Sequence, residues 1–169
     1  MQNIFIDVKE LEKRMHEVFG ITEDVMIENA ASALESEVRK VLHDKDAEDA
    51  YERRSAYRAK RSTGAHAAHL IEQASASPAY RTSKSSNDVL IVCGSGNNGA
   101  DGYALARRIA GDIPAAVYAA CDAKTENCKR ERDAALAAGV KLVSRAVFLK
   151  RLASAAIVVD CLYGPGFHG

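Results

Sequence analysis

The second half of the chain contains apolar runs that alternate with segments of helical periodicity. The runs are short and almost entirely apolar, which is typical of strands buried on both faces, and the segments between them are long enough for helices. This alternation predicts an α/β fold whose mostly parallel sheet is covered by helices on both faces. The predicted strands are residues 88–94, 114–120, 140–144 and 155–164, and the predicted helices are residues 101–111, 124–138 and 145–154.

Two helices are predicted ahead of this alternating region. The first runs from a capping residue, Asp7, to a terminating Gly20, and the second begins near Thr22 and continues to about Leu42. The apolar side of the second helix consists largely of alanines, so we expect another element to approach its backbone closely. Two polar residues of this helix are interpreted as solvated rather than functional: Glu28 and Asn29.

Residues 43–87 differ from the rest of the chain because they are rich in charge, alanine and serine and poor in large apolar side chains. We interpret them as an excursion of two helices, one on each side of residues 62–64, that packs outside the sheet and contributes nothing to a substrate pocket. Two histidines in it lack a third ligand nearby in sequence and are not interpreted as a metal site: His66 and His69. The basic residues are interleaved with acidic ones, which favours a solvated helix face over an RNA site: Arg53, Arg54, Arg58, Lys60 and Arg61.

Charge and cysteine content narrow the class of protein. Lysine plus arginine and aspartate plus glutamate number 23 each, so no net charge favours nucleic acid or a membrane as the main partner. We expect no secretory signal and no segment long enough to cross a bilayer. The four cysteines form no C-x-x-C pair, which favours a reduced, cytoplasmic protein and disfavours a zinc site: Cys93, Cys121, Cys128 and Cys161.

A glycine-rich loop follows the first predicted strand. Gly94, Gly96 and Gly99 spell G-x-G-x-x-G, which lets the backbone approach a ligand, and the helix predicted to begin near Asp101 presents free N–H groups that suit a diphosphate. The pair Asn97-Asn98 adds amides that can donate to phosphate or offer oxygens to a hard cation. The charge of Asp101 would repel a phosphate, and its plain interpretation is a favourable interaction with the helix N-terminus.

Asp160 ends the last apolar run and precedes "CLYGPGFHG". We expect its carboxylate to be partly desolvated, to face a ligand crevice and to serve as a cation ligand or an acid–base group. An aspartate that caps the following turn is an equally good interpretation. Because ligands of parallel sheets bind at the carboxyl ends of the strands, residues 94–101 and 160–169 are predicted to lie side by side in one cleft.

These residues also carry a resemblance. The segment "VCGSGNNGADGYALARRIA" resembles the signature of the YjeF N-terminal domain family, the NAD(P)H-hydrate epimerases, and "VMIENAA" and "VVDCLYGPGFHG" resemble two further family motifs in the same order. The resemblance implies one YjeF N-terminal-type domain over residues 1–169, with a Rossmann-like three-layer α/β/α fold behind the two N-terminal helices. It also implies that the excursion at 43–87 is longer than usual and that the domain is incomplete at its C-terminus, because family members continue into further strands.

The reaction implied by the resemblance is interconversion of the R and S forms of hydrated NADH or NADPH. A potassium ion is implied as cofactor, with Asn98 and Asp160 as its ligands, and Asp160 is the implied catalytic residue. Whether Asp160 moves a proton or acts only through the ion stays open at this point. The implied substrate-binding residues are Asn97, Asn98, Gly99, Ala100, Asp101, Gly164, Pro165, Gly166, Phe167, His168 and Gly169.

Two other functional classes are weighed against the epimerase. A non-catalytic scaffold or RNA-associated module would use the basic residues from Arg53 to Arg61. A Rossmann oxidoreductase would use Asp122, near the end of the second strand, as ribose ligand, but Asn97-Asn98 argues against it. The partners expected for the epimerase are hydrated NADH or NADPH, a second copy in a homodimer, and a functionally linked NAD(P)H-hydrate dehydratase.

Overall fold

The computed structural model describes residues 8–62 and 88–164 of the chain. These residues form nine elements, and the helices and strands alternate after the first two helices, as predicted. The elements are α1 (Val8–Phe19), α2 (Glu23–Ser62), β1 (Val89–Cys93), α3 (Asn97–Ile109), β2 (Ala115–Ala119), α4 (Glu126–Ala137), β3 (Lys141–Leu142), α5 (Arg145–Leu152) and β4 (Ile157–Cys161).

The four strands form one parallel sheet in the order β3-β2-β1-β4. The predicted α/β fold with a parallel sheet is therefore confirmed. The chain moves outward from β1 to β2 and β3 and then returns to the other side of β1 to form β4. This reversal of strand order makes the carboxyl ends of β1 and β4 the point where such sheets bind ligands.

Helices cover the two faces of the sheet unequally. On one face, α3 packs on the sheet, and α2 and α4 pack on α3, so that their apolar side chains join Ile91, Val117 and Cys161 in the main core. On the other face, Phe148 of α5 packs on Leu90 and Val92, and its ring stacks on Tyr118 with centroids 5.1 Å apart. Because α5 is short, Val158 of the edge strand β4 remains 45% exposed on this second face.

Helix α2 is twice as long as predicted, because it continues from Leu42 to Ser62. Residues 43–62 contain no glycine or proline and consist mostly of good helix formers, so nothing in this segment ends the helix. The predicted first helix of the excursion is therefore an extension of α2, and the predicted second one lies outside the described residues. The apolar face of α2 ends at Leu42 and consists of Ile27, Ala31, Leu34, Val38 and Leu42.

The extension of α2 lies at the amino edge of the sheet, away from the carboxyl ends of the strands. Lys45 Nζ donates to the carbonyl of Ala156, which immediately precedes β4, at 3.2 Å. The described side chains after Leu42 are otherwise mostly exposed. For residues 43–62, this position agrees with the expectation that the excursion takes no part in a site at the carboxyl edge of the sheet.

Ion pairs fasten α2 to α3. Glu28 accepts from Arg107 and from Arg108, the latter at 3.1 Å, and Glu35 accepts from Arg108 at 2.8 Å. The interpretation of Glu28 as a solvated residue is therefore wrong, because α3 places two arginines opposite it, whereas Asn29 is exposed as expected. Each pair is partly exposed to water, which weakens it, so the pairs set the position of α2 more than its stability.

Close packing brings the backbone of α3 onto the sheet. A Cβ atom added to Gly102 would lie 2.7 Å from Cys93 Sγ and 2.9 Å from Cys161 Cβ. A Cβ atom added to Gly99 would lie 2.2 Å from the carbonyl oxygen of Gly94. These positions admit no larger side chain. Ala31 of α2 is also fully buried, but the other residues of its apolar face are large, so the expectation that this face consists largely of alanines is wrong.

We expect Gly102→Ala to lower the free energy of unfolding by about 1–3 kcal/mol, the usual cost of overpacking a core. If helix propensity alone mattered, the substitution would instead raise the free energy of unfolding by about 1 kcal/mol, because alanine favours a helix more than glycine does. Urea denaturation decides between the two effects. Gly111→Ala is the matched control, because an added Cβ there meets nothing within 4 Å and should change stability by less than about 0.5 kcal/mol. A stabilised Gly102→Ala variant would contradict the packing described here.

Candidate functional site

Helix α3 begins at Asn97, four residues earlier than the predicted start near Asp101. Gly96 is the N-cap, and the amide of Ala100 already bonds to its carbonyl oxygen at 3.1 Å. The early start was missed because asparagine and glycine favour loops, whereas here Gly99 allows the first turn to rest on Gly94. The amides without partners inside the helix are therefore those of residues 97–99.

This start changes the position of Asp101, which lies in the second turn of α3. The first turn contains no acidic residue. The interpretation of Asp101 as a charge that favours the helix N-terminus is therefore wrong, because the effect of the helix dipole falls off beyond the first turn. Asn98 and Asp101, three positions apart, share one face of the helix.

The loops after β1 and β4 lie side by side, as predicted. The amide of Gly94 donates to the carbonyl of Cys161 at 2.9 Å, and Asn98 Nδ2 donates to the carbonyl of Tyr163 at 3.1 Å. A Cβ atom at Gly164 would lie 3.5 Å from Asn98 Cβ. The remaining predicted residues of the second loop lie outside the described residues: Pro165, Gly166, Phe167, His168 and Gly169.

The connection after β2 holds the glycine loop from the other side, which the sequence did not reveal. The amide of Lys124 donates to the carbonyl of Ser95 at 2.8 Å, and the Thr125 side chain caps α4 by accepting from the amide of Cys128 at 3.2 Å. These are backbone contacts with no sequence signature apart from the capping threonine. Asp122 lies exposed in this connection.

Asp160 is exposed, so the expectation that its carboxylate is desolvated is wrong. Its Oδ1 accepts from the amide of Leu162 at 2.9 Å, which is the turn-capping role weighed as the alternative. Side chains alternate along a strand, and Asp160 is the register partner of Val92, so it lies on the face that α5 leaves partly uncovered. The opposite face of the sheet carries α3 and Asn98, so these two predicted potassium ligands start from different faces of the sheet.

Asp101 is the more enclosed of the two carboxylates. It is half-buried, and burial together with the negative charge of Glu12 in α1 raises the pKa of its carboxyl group to about 6. Its charge also acts on Cys161 at the end of β4, which places it beside the junction of the two loops. Glu12 was not among the predicted site residues, because it lies outside the sequence motifs.

The thiols beneath the site are unreactive. Cys93 and Cys161 are register partners and are both buried, and burial raises the pKa of the Cys161 thiol to about 12. Burial likewise raises the pKa of Cys128 to about 11. All four cysteines of the chain are free.

The donor set at the carboxyl edge suits a hard cation rather than a transition metal. Over residues 8–62 and 88–164, no group of three or more His, Cys, Asp or Glu side chains is placed to hold a metal ion. Asn98 donates its Nδ2 to Tyr163, which leaves the amide oxygen to face a cation, and Asp160 uses one carboxylate oxygen for its turn. Together with main-chain carbonyls, these oxygens are the ligands that hard cations take.

Comparison with known proteins identifies related sequences and a related fold. A family model described as YjeF-related protein N-terminus matches residues 57–169. The chain is 31% identical over 170 residues to the bifunctional NAD(P)H-hydrate repair enzyme Nnr of Helicobacter pylori, which covers 100% of this chain and 28% of that protein. It is 40% identical over 84 residues to the NAD(P)H-hydrate epimerase of Rhodopirellula baltica, covering 47% of this chain and 34% of that protein.

The fold resembles the crystal structure of yeast ynu0, YNL200c. The TM-score is 0.58 at 17% sequence identity, over 96% of this chain and 56% of that one. This likeness supports the fold alone. The chain thus spans about a third or less of the length of the two sequence relatives and just over half of the yeast chain. None of the helices within the described ranges is long and apolar enough to cross a membrane.

The raised pKa of Asp101 predicts how stability depends on pH. The folded-state pKa of about 6 exceeds the ordinary 3.8, so the stability that the protonated group contributes is present below about pH 4 and is lost as the pH rises through 6. Asp101→Asn should therefore raise the free energy of unfolding by about 1–3 kcal/mol at pH 8 and by little at pH 4. Denaturant titrations at both pH values measure this difference.

The control for this experiment is Asp122→Asn, which removes an exposed carboxylate near the same edge. It should change stability by less than about 0.5 kcal/mol at either pH. If Asp101→Asn raised the free energy of unfolding by the same amount at both pH values, the surroundings of Asp101 would not be what destabilises its ionised carboxylate.

Proposed function

The chain belongs to the YjeF-related N-terminal domain family, and from this membership we propose that it interconverts the R and S forms of hydrated NADH and NADPH. The observation that carries the proposal is the junction of the first turn of α3 with the end of β4 at the switch point of the sheet. Two sequence relatives bear the names NAD(P)H-hydrate repair enzyme and NAD(P)H-hydrate epimerase. No specific observation favours a scaffold or an oxidoreductase instead.

The proposed substrate site uses both loops of this junction. The free amides of residues 97–99 suit the diphosphate of the substrate, since a helix N-terminus attracts negative charge. Asn97 is exposed and Asn98 half-buried, so their side chains can reach a ligand, whereas the buried Gly99 and Ala100 can contribute only main-chain groups. The residues from Gly164 to Gly169 are proposed to take part in substrate binding, as the family resemblance implies.

The reaction requires little of the protein beyond charge and proton transfer. Hydration leaves a hydroxyl on the ring carbon beside the nicotinamide nitrogen. When this hydroxyl is protonated, it leaves as water, and the nitrogen lone pair forms a planar cation that water can re-enter from either face. A site for this reaction needs an acid near the hydroxyl and negative charge near the cationic ring. Carboxylates at the carboxyl edge supply both: Asp101 and Asp160.

A potassium ion is proposed to bind at the same edge, held by Asn98 and Asp160. These side chains offer an amide and a carboxylate oxygen on the two sides of the junction, which fits part of a hard-cation site. When bound, the ion would order the two loops against each other and adjust the charge next to the substrate. A carboxylate that holds a cation is a weaker base, so this role favours charge stabilisation over proton transfer for Asp160.

The proposal extends to partners and location. The Helicobacter pylori relative is named as bifunctional in NAD(P)H-hydrate repair, which supports a functional link to a dehydratase. Val18 and Phe19 of α1 are 65% and 73% exposed, and such apolar side chains suit contact with a second copy in a homodimer. Free buried thiols suit a reducing, cytoplasmic setting.

The first test is whether the purified chain accelerates epimer exchange of hydrated NADH. We expect equilibration of separated R and S forms, followed by chromatography, to be faster with the protein than without it. Exchange should be faster in potassium than in choline buffer of the same ionic strength. Exchange at the uncatalysed rate in both buffers would reject the proposed function for this chain.

The second test concerns Asp160. Asp160→Asn preserves size and hydrogen bonding but removes the charge that stabilises the cationic ring, so kcat should fall by roughly 10²-fold or more. If Asp160 acts through the ion, raising the potassium concentration should partly restore kcat. Asp122→Asn is the control and should leave kcat and the potassium response unchanged. Near wild-type turnover in Asp160→Asn would remove this residue from the mechanism.

A further inference from the structure

The connection between β2 and α4, residues 120–125, is fixed to the glycine loop through its main chain. The amides of Lys124 and Thr125 both donate to the carbonyl of Ser95, at 2.8 Å and 3.3 Å. Ser95 directly precedes Gly96, the N-cap of α3. The main chain of Lys124 therefore lies one hydrogen bond away from the loop that leads into the proposed diphosphate site.

The start of α4 holds this connection in place. The thiol of Cys128, in the first turn of the helix, donates to the carbonyl of Gly94 at 3.6 Å. The side chain of Thr125 caps the same turn. The connection and the first turn of α4 are thus bonded to Gly94 and Ser95 together, so neither can move away from the glycine loop without breaking several contacts.

The side chain of Lys124 is exposed. Over residues 8–62 and 88–164 it makes no ion pair, unlike the basic residues of the adjoining helix α4. Each of those pairs with an acidic residue: Lys129 with Glu126, Arg130 with Asp24, and Arg132 with Asp133. No carboxylate of the described structure therefore holds the Lys124 ammonium group, and its flexible four-carbon stem lets it turn toward a ligand at the glycine loop.

The charge of the carboxyl edge requires a cation if a diphosphate is to bind there. Carboxylates lie at this edge, among them Asp101, Asp122 and Asp160. Each phosphate of a diphosphate is negative, so these carboxylates disfavour its binding, and the amides of residues 97–99 offer only partial positive charge in return. Lys124 brings a full positive charge to the same loop. Asp122 is close to Lys124 in sequence but exposed, so water and salt screen its repulsion of the ligand.

We propose that Lys124 is a substrate-binding residue whose ammonium group binds the diphosphate of hydrated NADH or NADPH; this proposal rests on the proposed function. The amides of residues 97–99 hold the diphosphate from the α3 side, and Lys124 holds it from the β2 side. The diphosphate takes no part in the reaction at the nicotinamide ring. Lys124 therefore stabilises bound substrate and transition state equally, so it lowers KM and leaves kcat nearly unchanged.

The contact is tested with ADP-ribose, which carries the diphosphate but lacks the nicotinamide ring. We expect Lys124→Gln to weaken its binding by roughly tenfold, because the substitution removes a charge-assisted hydrogen bond to phosphate. Lys124→Arg should keep most of the affinity, since arginine also binds phosphate. Isothermal titration calorimetry gives the dissociation constants. No binding of ADP-ribose to the wild type, or equal affinity in the wild type and Lys124→Gln, would overturn the proposal.

Two controls locate the effect. Lys141→Gln removes the same charge from an exposed lysine at the start of β3, away from the carboxyl edge, and should leave the affinity unchanged. An equal loss of affinity in Lys141→Gln would reduce the effect to net charge and overturn the contact. ADP-ribose 2′-phosphate, which carries the additional phosphate of NADPH, should lose affinity for Lys124→Gln by the same factor as ADP-ribose. A loss confined to the 2′-phosphate ligand would mean that Lys124 binds that phosphate and not the diphosphate.

Epimer exchange kinetics separate the role of Lys124 from the proposed function. Lys124→Gln should raise KM for hydrated NADH by the factor measured with ADP-ribose, at nearly unchanged kcat. If the wild-type chain exchanges epimers and Lys124→Gln keeps its KM, the role of Lys124 is overturned while the epimerase remains. If the wild-type chain shows no exchange, the proposed function fails, and the ADP-ribose titration still decides whether Lys124 binds a diphosphate.

Discussion

The structure depends on how closely the backbone of α3 approaches the ends of β1 and β4. A Cβ atom at Gly94 would lie 2.0 Å from the carbonyl oxygen of Leu162, and Gly99 and Gly102 leave equally little space. Without these glycines the first turn of α3 could not rest on the strand ends, and Asn98 could not reach the carbonyl of Tyr163. The candidate site exists because three positions carry no side chain.

The close approach also explains why the two carboxylates of the site differ. Asp101 is carried on α3, which packs closely against the sheet, so water is partly excluded from it. Asp160 is carried on an edge strand, on the face that α5 leaves partly uncovered, so water reaches it freely. Similar carboxylates at one sheet edge therefore differ in how far water reaches them.

Much of the fold followed from the sequence, because local patterns determine it. The apolar runs gave the strands of the parallel sheet, and the two motifs with glycine and aspartate gave the loops that meet at the switch point. The length of α2 and the early start of α3 were missed, because both depend on packing that overrides local preference. The exposure of Asp160 and the enclosure of Asp101 could not be predicted, because they depend on which helices cover each face of β4.

One consequence concerns the cysteines. Cys93, Cys128 and Cys161 are buried, and their raised pKa values keep them as unreactive thiols, whereas Cys121 is exposed just beyond β2 at the carboxyl edge of the sheet. A thiol-reactive fluorophore would therefore label the folded chain at a single position without any cysteine being removed. Its emission would report on the polarity next to the glycine loop, so ligands could be screened on the unaltered sequence by fluorescence.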